Sequence, residues 1–281
     1  MMAGNKITAA VVVYNKEISE SITCQKIKEI DVDIDILVLD NSDRNTGNKE
    51  YCEMNGIRYI SMNGNRGLSK AYNVAVDNSK KSDVIVLFDD DTEVTKEYFE
   101  ILQKSLDKHP DVDIYAPIIR GQDGVIYSPN EFNFLRNHFI SDSKQEISQK
   151  SFNAIASCLA IRMRVFDNYR FNEKLFIDQV DQYFFCEQRR LGRKFGVLDV
   201  EILQHFYQRG ATLTPEAGWR RLKLRIVDVF RHARLMGGKK YTLLAFVKCC
   251  GLGVQIGKKS KSVGVMLKAG SLSTSLLIHD R

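Results

Sequence analysis

The sequence contains no stretch of about 18 uninterrupted apolar residues, so we expect no helix that spans a membrane. We also expect no signal peptide, because the first apolar run, Ile7 to Tyr14, is too short for one and ends at Asn15 and Lys16. None of its 6 cysteines forms a Cys-x-x-Cys pair, and most lie within apolar patterns. We therefore expect reduced thiols in the core of a cytoplasmic protein.

The composition suits a folded globular protein with an uneven distribution of charge. With 281 residues, 44% of them hydrophobic and 27% charged, the chain is long enough for one large α/β domain with an appendage or for two small domains. Residues 215–281 hold 14 Lys and Arg against 3 acidic residues, a net charge of +11, which leaves −5 for residues 1–214. The basic part predicts a polyanionic partner, either nucleic acid or anionic lipid headgroups.

An acidic cluster directly follows the most apolar strand pattern of the chain. Residues 84–88 are an unbroken, largely β-branched run, which predicts a strand buried on both faces. Of the three carboxylates that come next, those of Asp89 and Asp91 would point to one side of an extended backbone and that of Asp90 to the other. Oxygen ligands without a nearby Cys or His suit Mg²⁺ or Mn²⁺. A solvated acidic turn that precedes a helix is the alternative.

Predicted strands alternate with helices through the first third of the chain, and four of the strands end in polar residues. This alternation predicts a parallel, doubly wound sheet whose right-handed connections bring the carboxyl ends of the strands to one edge. Polar residues gathered at that edge predict a ligand crevice. The four ends are Tyr14 with Asn15, Asp40 with Asn41, Asn63 to Lys70, and Asp89 to Asp91.

One of these ends combines features that suit a phosphate group. Gly67 permits a close approach of the backbone, a helix begins at Leu68, and Arg66 and Lys70 supply two cations. The order of residues is neither a Walker A motif nor Gly-x-Gly-x-x-Gly, so an ordinary turn and helix start is the alternative.

The second half of the chain adds candidate acids for catalysis. Residues 152–162 are small and apolar, which predicts a strand that passes close to the ligand. Residues 171–182 open a predicted helix, and Asp178 and Asp181 would share one face of it because they are three residues apart. Either acid is a candidate general base, although acids in a first helical turn also interact favourably with the helix dipole.

A histidine follows the last strand predicted in this part of the chain. Residues 195–203 are strand-like, and His205 comes two residues later. A lone histidine more often has a structural role than binds a metal, but the acidic, oxygen-rich context favours a metal ligand here.

Taken in order, these motifs resemble the family 2 glycosyltransferases of GT-A fold. The resemblance covers residues 7–207 and is closest to bacterial rhamnosyltransferases of surface-polysaccharide assembly. It rests on Val-Val-Tyr-Asn at 12–15, Asp-Asn-Ser at 40–42, Asn-x-Gly-x-x-x-Ala-x-Asn at 65–73, Leu-Phe-Asp-x-Asp at 87–91, Leu-Phe-Ile-Asp-x-x-Asp at 175–181 and the later histidine.

The resemblance implies a fold, a reaction and a set of site residues. The fold is an α/β, Rossmann-like, mostly parallel sheet flanked by helices. The reaction is an inverting transfer of a sugar, with rhamnose favoured, from a dTDP- or UDP-linked donor to a glycan or polyprenyl-linked acceptor, with Mn²⁺ or Mg²⁺. The implied residues are Asp89, Asp91 and His205 for the metal, Tyr14, Asn15 and Asp40 for the nucleoside, Arg66, Gly67 and Lys70 near the phosphates, and Asp90 beside the donor.

The identity of the base is the point at which the sequence departs from the family pattern. Many relatives carry a Glu-Asp pair before the final acidic residue, whereas this chain has Asp178 followed by Gln179. A single carboxylate is sufficient to take the proton of the acceptor hydroxyl while the diphosphate leaves. We expect Asp178 to be that base, with Asp181 as the alternative.

The basic end of the chain is predicted to form a helical extension, residues 215–281, after a catalytic domain of residues 1–214. Apolar and basic residues alternate at helical spacing in 219–236, and 241–256 is more apolar. Basic amphipathic helices suit an anionic membrane surface, so we expect peripheral attachment to the inner face of the cell membrane and no binding to nucleic acid. Packing of the extension against the catalytic domain or in a homodimer is the alternative.

Two other classes of protein compete with the transferase. A phosphohydrolase of the haloacid dehalogenase type also has an Asp-x-Asp strand end, but there the motif follows the first strand and here it follows the fourth. A non-catalytic nucleotide-binding or nucleic-acid-binding module would not need the four acids at 89, 91, 178 and 181. A nucleotide-sugar pyrophosphorylase would carry a glycine-rich, arginine-containing loop after the first strand, which residues 14–17 do not form.

Overall fold

A computed structural model of the protein describes residues 4–30, 32–204 and 213–279. Its strands are β1 (Ile7–Val13), β2 (Ile34–Asp40), β3 (Arg58–Ser61), β4 (Val84–Phe88), β5 (Ile114–Gly121), β6 (Ile126–Ser128), β7 (Asn130–Phe132), β8 (Asn137–Phe139), β9 (Phe152–Asn153), β10 (Leu159–Arg162) and β11 (Phe195–Gln204). Its α-helices are α1 (Ile22–Glu29), α2 (Asn48–Met54), α3 (Leu68–Asp77), α4 (Lys96–Lys108), α5 (Val180–Arg190), α6 (Pro215–Met236), α7 (Lys239–Lys259) and α8 (Val263–Ile278).

The strands form a large mixed sheet and a small antiparallel one. The large sheet has the order β11-β5-β10-β4-β1-β2-β3, with β6 paired to β5, and the small sheet has the order β8-β7-β9. The pairs β4–β1, β1–β2 and β2–β3 are parallel, and β11 is parallel to β5. Only β10 and β6 enter the large sheet antiparallel, among the residues described. The predicted mostly parallel α/β sheet is confirmed.

Both faces of the central strands are buried, as their apolar sequences predict. In β4, Ile85 and Leu87 belong to the hydrophobic core on one face, and Val84, Val86 and Phe88 belong to the core on the other. All five side chains are fully buried. Helices packed on both sides of the sheet leave the carboxyl ends of β1, β2 and β4 at a common edge.

Side-chain caps fix the starts of several helices. Ser21, Thr95 and Ser262 each accept a hydrogen bond from the backbone N–H three residues later, at the starts of α1, α4 and α8. At the start of α6, Thr214 does the same and Pro215 occupies the first helical turn. Each cap satisfies an N–H that has no partner within the helix, which typically contributes about 1 kcal/mol.

Two predicted elements differ from the structure. Residues 152–162 form two short strands in different sheets, β9 and β10, instead of one continuous strand. Helix α5 begins at Val180, because Gln179 has the left-handed backbone angle φ of 64° and stops the helix from extending toward residue 171. Asp178 therefore lies before the helix, and the prediction that Asp178 and Asp181 share one helical face is wrong.

The three C-terminal helices pack together around a separate apolar cluster. Most apolar side chains of α6, the helix predicted to be amphipathic, lie inside this cluster, where Leu222, Ile226, Val229 and Phe230 are almost fully buried. Phe134, from the turn between β7 and β8, joins the same cluster. Within the described residues, no helix combines the length and apolar character needed to cross a membrane.

Candidate active site

The ends of β1 and β2 interlock at the predicted ligand edge. The backbone N–H of Asn15 donates to Ser42 Oγ at 2.7 Å, and the N–H of Asp43 donates to Asn15 Oδ1 at 3.2 Å. Asn15 has a positive φ of 52°, which turns the chain sharply after β1. The Tyr14 hydroxyl donates to Asp43 Oδ2 at 3.1 Å, and its side chain is half exposed. An exposed aromatic ring held by its hydroxyl is suited to stacking on a base.

The Asp40 carboxylate, which the resemblance placed in the nucleoside pocket, is buried and already has several donors. It accepts hydrogen bonds from Asn48 Nδ2 at 2.9 Å, from the Ser42 N–H at 3.0 Å and from the Tyr59 hydroxyl at 3.1 Å. Burial alone would raise the pKa of Asp40, but these hydrogen bonds lower it below its ordinary value. Asp40 thus shapes the loop that follows β2 as an ionised anchor.

Gly67 is required by a contact with Phe176. The N–H of Leu68, the first residue of α3, donates to the Phe176 carbonyl at 2.6 Å. Gly67 has a φ of +83°, and a Cβ at this position would come within 2.5 Å of the same carbonyl oxygen. The close backbone approach at Gly67 joins α3 to the segment before α5, and the role near the phosphates stays a prediction.

Asp89 lies at the centre of a polar network that joins three elements. The Ser157 hydroxyl donates to Asp89 Oδ2 at 2.5 Å, and Gln204 Nε2 lies 3.3 Å from the same oxygen. The amide of Gln204 also bridges to Asp91 Oδ1 at 3.3 Å. Ser157 belongs to the turn before β10, and Gln204 is the last residue of β11. These contacts bring Asp89 and Asp91 together as the alternation along the strand predicted.

The charged forms of Asp90 and Asp91 are destabilised by burial and by the neighbouring carboxylates. The pKa of Asp91 is raised to about 7, first by burial and then by the charges of Asp89 and Asp90. The pKa of Asp90 is also raised by burial, although Lys16 Nζ lies 3.3 Å from its Oδ2 and acts in the opposite direction.

These residues fit a hard divalent cation. A cation between Asp89 and Asp91 would relieve the repulsion that their charges create, and carboxylate oxygens are ligands that Mg²⁺ and Mn²⁺ prefer. In the described part of the chain, no group of three or more His, Cys, Asp or Glu side chains is arranged to hold a metal ion. The third predicted ligand, His205, lies outside the described residues.

Asp181 faces the acidic cluster from the first turn of α5. Its pKa is raised to about 7, first by burial and then by the charge of Asp89, while a hydrogen bond from the Ala156 N–H opposes the shift. The pKa of the fully buried Tyr72 is likewise raised by burial and by the charges of Asp89 and Asp181. Asp89, Asp181 and Tyr72 are therefore close to one another at the carboxyl edge of the sheet.

Asp178 faces the C-terminal helices. Its Oδ2 lies 2.7 Å from Arg221 Nη1, and its Oδ1 lies 3.8 Å from Arg225 Nε, both on α6. The two candidate bases thus have different surroundings, with Asp181 beside Asp89 and Asp178, the one favoured from the sequence, beside arginines.

A carboxylate of α6 also holds the backbone of the segment before α5. Asp228 is fully buried, and its oxygens accept hydrogen bonds from the N–H groups of Phe176, Ile177 and Asp178 at 2.8 to 3.1 Å. Arg231 Nη1 lies 3.2 Å from Asp228 Oδ1. Because a carboxylate that satisfies three amides fixes their orientation, α6 sets the path of residues 176–178.

Gln179 completes the link between the segment before α5 and the C-terminal helices. Its Oε1 lies 3.1 Å from Nδ1 of the buried His232, whose ring packs against Phe132 and Phe134. Burial lowers the pKa of His232 to about 3, with the charge of Lys248 as the second cause. His232 is therefore neutral in the folded protein at neutral pH.

Arg66 and Lys70, predicted to lie near the donor phosphates, line a cavity between α3 and α6. Its wall does not include Tyr14, Asp40 or any residue of the acidic cluster. Ser157, Gln204 and Asp228 also contribute to this region, and their contacts were not predicted from the sequence. The only local signal was for Ser157, because the small residues before β10 predicted a close approach to the ligand. No local pattern indicates Asp228, which accepts a hydrogen bond from a residue 50 positions away in the sequence.

A comparison with protein families finds a match to the part of the chain that holds the acidic cluster. Residues 8–170, which include β1 to β4 and the acidic cluster, match the profile described as Glycosyl transferase family 2. The chain belongs to glycosyl transferase family 2. The family predicted from the order of the motifs is confirmed, and with it the assignment to the transferases.

Among curated proteins, this member of the family is similar to the dTDP-rhamnosyl transferase RfbF of Shigella flexneri. The two are 27% identical over 184 residues, which cover 63% of this chain. The chain spans 61% of the length of that relative.

Solved structures confirm the GT-A fold. S. aureus TarS 1–349 matches with a TM-score of 0.55 at 14% identity, covering 96% of this chain and 91% of that one. TarS 1–349 in complex with UDP-GlcNAc matches with a TM-score of 0.54 at 14% identity, over 97% and 89% of the two chains. GalNAc-T7 with UDP, GalNAc and Mn²⁺ matches with a TM-score of 0.58 at 12% identity, over 97% of this chain and 55% of that one.

Proposed function

We propose that this protein transfers a sugar, with rhamnose favoured, from a nucleotide diphosphate sugar to a hydroxyl of a glycan or lipid-linked acceptor, with inversion at the anomeric carbon. The observation that carries the proposal is the meeting of Asp89, Asp91 and Asp181 at the carboxyl edge of the sheet. Such a transfer needs ligands for a divalent metal and a group that accepts a proton. Asp89 and Asp91 can supply the first, and Asp181, whose pKa is raised, can supply the second.

The donor would lie along the ends of β1, β2 and β4. Tyr14 offers an exposed aromatic ring for the base, and Asn15 and the anchored Asp40 shape the loops around it. Asp89 and Asp91 would hold Mn²⁺ or Mg²⁺, with His205 as a further ligand and Asp90 beside the donor. When bound, the metal supplies positive charge that stabilises the leaving diphosphate.

Asp181 is the better candidate for the base, in preference to Asp178. Its raised pKa of about 7 suits a group that accepts a proton near neutral pH, and it lies beside Asp89. As the acceptor oxygen bonds to the anomeric carbon, its proton passes to the Asp181 carboxylate, and the bond to the diphosphate breaks with its electron pair. Attack opposite the leaving group inverts the anomeric centre, so one carboxylate is sufficient and no covalent intermediate forms.

The relatives support a nucleotide sugar as donor. RfbF is by its name a dTDP-rhamnosyl transferase, and TarS has been solved with UDP-GlcNAc. We extend the donor class to this chain and favour dTDP-rhamnose, because the rhamnosyl transferase is the relative with the higher sequence identity. Family membership favours the transferase over the phosphohydrolase and the binding module.

We also propose that residues 1–214 form the catalytic domain and that residues 215–281 contact an anionic membrane from the cytoplasmic side. The buried face of α6 directs this contact to α7 and α8, where Leu243, Val247, Val254, Val263, Leu267 and Ile278 are exposed. The size of the protein in solution, measured by light scattering with and without added vesicles, distinguishes this attachment from a homodimer.

The first test separates donor binding from chemistry by comparing two conservative variants. Asp181→Asn should bind a nucleotide diphosphate normally and lower the turnover by about 10²- to 10⁴-fold, because it removes the proton acceptor and keeps the shape. Asp178→Asn is the matched control and should keep turnover within about tenfold, because its carboxylate contacts arginines. Turnover is measured with a panel of dTDP- and UDP-sugars and a saturating acceptor, and loss of turnover in Asp178→Asn alone would reverse the assignment.

A further inference from the structure

A basic cavity lies between α3 and α6, outside the region proposed for the donor. Its volume is about 620 Å³, within the range of small-molecule sites. It is lined by Asn65, Arg66, Lys70, Glu173, Lys174, Phe176, Arg231, Arg234 and Leu235. The five cationic side chains face a single carboxylate, that of Glu173. A smaller cavity of about 310 Å³ shares Arg66, Lys70 and Glu173 with it and continues along β3.

Several of these cations also contact groups of the protein, as Arg234 Nη2 does by donating to the Leu276 carbonyl at 3.1 Å. Arg231 is paired with Asp228 at 3.2 Å, and Arg66 Nε donates to the Met62 carbonyl at 3.3 Å. The Glu173 carboxylate already accepts a hydrogen bond from Asn73 Nδ2 at 3.2 Å. Because like charges that converge on one cavity repel each other, the arrangement favours an anionic occupant.

The chemistry of the wall points to a phosphate group that carries a larger substituent. Guanidinium and ammonium groups together bind phosphate oxygens well, the former by paired hydrogen bonds and the latter as point charges. Phe176 and Leu235 add an apolar part to the wall. The volume exceeds what a lone phosphate fills, so the cavity has room for the group to which the phosphate is attached.

The walls connect the cavity to the segment that precedes the proposed base. The cavity residue Phe176 donates its backbone N–H to Asp228 and accepts a hydrogen bond from Leu68. Asp178 and Asp181 follow within five residues, whereas neither the β1 and β2 ends nor the acidic cluster contributes to the wall. The cavity therefore lies where α6 meets the segment before the proposed base, and it borders the loop after β2, because the Arg66 N–H donates to Asn41 Oδ1 at 2.7 Å.

We propose that this cavity binds the phosphate group of a ligand other than the donor, namely a phosphorylated acceptor. This inference rests on the proposed transferase function. The phosphate belongs either to a lipid-linked acceptor or to a soluble sugar phosphate, because the wall recognises the chemistry that both share.

The test measures phosphate binding by the full chain with the donor site filled. The protein is saturated with UDP and Mg²⁺ and titrated calorimetrically with farnesyl phosphate in one arm and inorganic phosphate in the other. We expect one site per chain for both probes, in addition to the bound UDP. Tighter binding of farnesyl phosphate would assign the site to a lipid-linked acceptor, and equal affinities would assign it to a soluble phosphate ester.

Point variants locate the bound phosphate. Lys174→Gln and Arg231→Gln should each weaken both probes by about tenfold or more, since each removes a charge-assisted hydrogen bond. Lys258→Gln, an exposed lysine at the end of α7, is the matched control and should change nothing. If Arg231→Gln unfolds because Arg231 also pairs with Asp228, Lys174→Gln alone decides the result.

Three results would overturn the inference. They are the absence of phosphate binding, binding that the cavity variants leave unchanged, and a matching loss of UDP affinity in those variants, which would make the cavity part of the donor site. Failure of the wild-type protein to bind UDP is a different result, because it contradicts the proposed function. Titration of phosphate without UDP would then still decide whether the cavity is a phosphate site.

Discussion

Asp91 is held in a cluster of carboxylates whose burial and mutual repulsion raise its pKa to about 7. Its carboxylate is close to those of Asp89 and Asp90, and it accepts a hydrogen bond from the Gln204 amide at 3.3 Å. Groups that repel one another in a folded protein and persist are characteristic of binding sites. The neighbouring Ser157 and Gln204 explain how the carboxylates remain oriented, since each donates to Asp89.

Replacing Asp91 should abolish transfer without weakening the fold. Asp91→Asn removes one metal ligand and one repulsive charge, so we expect a loss of activity of about 10²-fold or more and an unchanged or higher melting temperature. Wild-type protein should be stabilised by UDP with Mn²⁺ more than by UDP alone, and the variant should lose this difference. Activity that persists in the wild type after treatment with EDTA would contradict the metal assignment.

His232 gives the stability of the protein a dependence on pH. Its folded pKa of about 3 lies below the ordinary value of 6.5, so the unfolded chain binds the proton more readily. The contribution of His232 to the free energy of unfolding is fully present above about pH 6.5 and is lost as the pH falls toward 3. Between these values the free energy changes by about 1.4 kcal/mol per pH unit because of this one group. His232→Gln should reduce the slope of the unfolding free energy between pH 6.5 and 4.5, measured by urea denaturation. Identical slopes in the two proteins would show that other groups govern acid unfolding.

At the scale of elements, the start of α3 and the segment before α5 depend on each other. Leu68 donates to Phe176, Asp228 orders residues 176–178, and Gly67 leaves the space that this contact needs. Gly67→Ala should destabilise the protein by about 2–5 kcal/mol, because it adds a backbone penalty at positive φ to a clash with the Phe176 carbonyl. Gly124→Ala is the matched control, with a φ of +78° and no atom within 4 Å of the added Cβ. Equal losses in the two variants, measured by urea denaturation, would exclude the clash as a cause.

Local sequence patterns predicted the elements whose burial is uniform and missed those whose geometry depends on distant partners. The run from Val84 to Phe88 predicts β4 residue by residue, because a strand covered on both faces needs no polar alternation. Spacing at 178 and 181 predicted a shared face, but the left-handed Gln179 separates the two acids. That conformation is stabilised from α6, through His232 and Asp228, and no window of local sequence contains these contacts.

The C-terminal helices both support the candidate active site, through Asp228 of α6, and expose apolar side chains on α7 and α8. Removal of residues 215–281 would take away the apolar cluster against which Phe134 packs and would leave the amides of residues 176–178 without Asp228. A truncated chain therefore cannot separate membrane binding from folding, and point changes on the exposed side of the extension are needed. The net charge of +11 on the extension supplies attraction to anionic lipid, which salt weakens.

The exposed stripe on α7 provides the sharpest test of membrane attachment. Leu243, Val247 and Val254 are 57%, 57% and 45% exposed and lie on one face of the helix, because their spacings of four and seven residues match its period. Replacing Leu243 and Val247 together by Gln should weaken binding to phosphatidylglycerol vesicles by about tenfold or more, since each side chain would bury apolar area in the interface. Met54→Gln, which changes a side chain that is 80% exposed on α2, should leave vesicle binding unchanged. Cosedimentation at low and high salt measures both contributions, and equal binding by the wild type and the double variant would leave packing against the catalytic domain as the role of these helices.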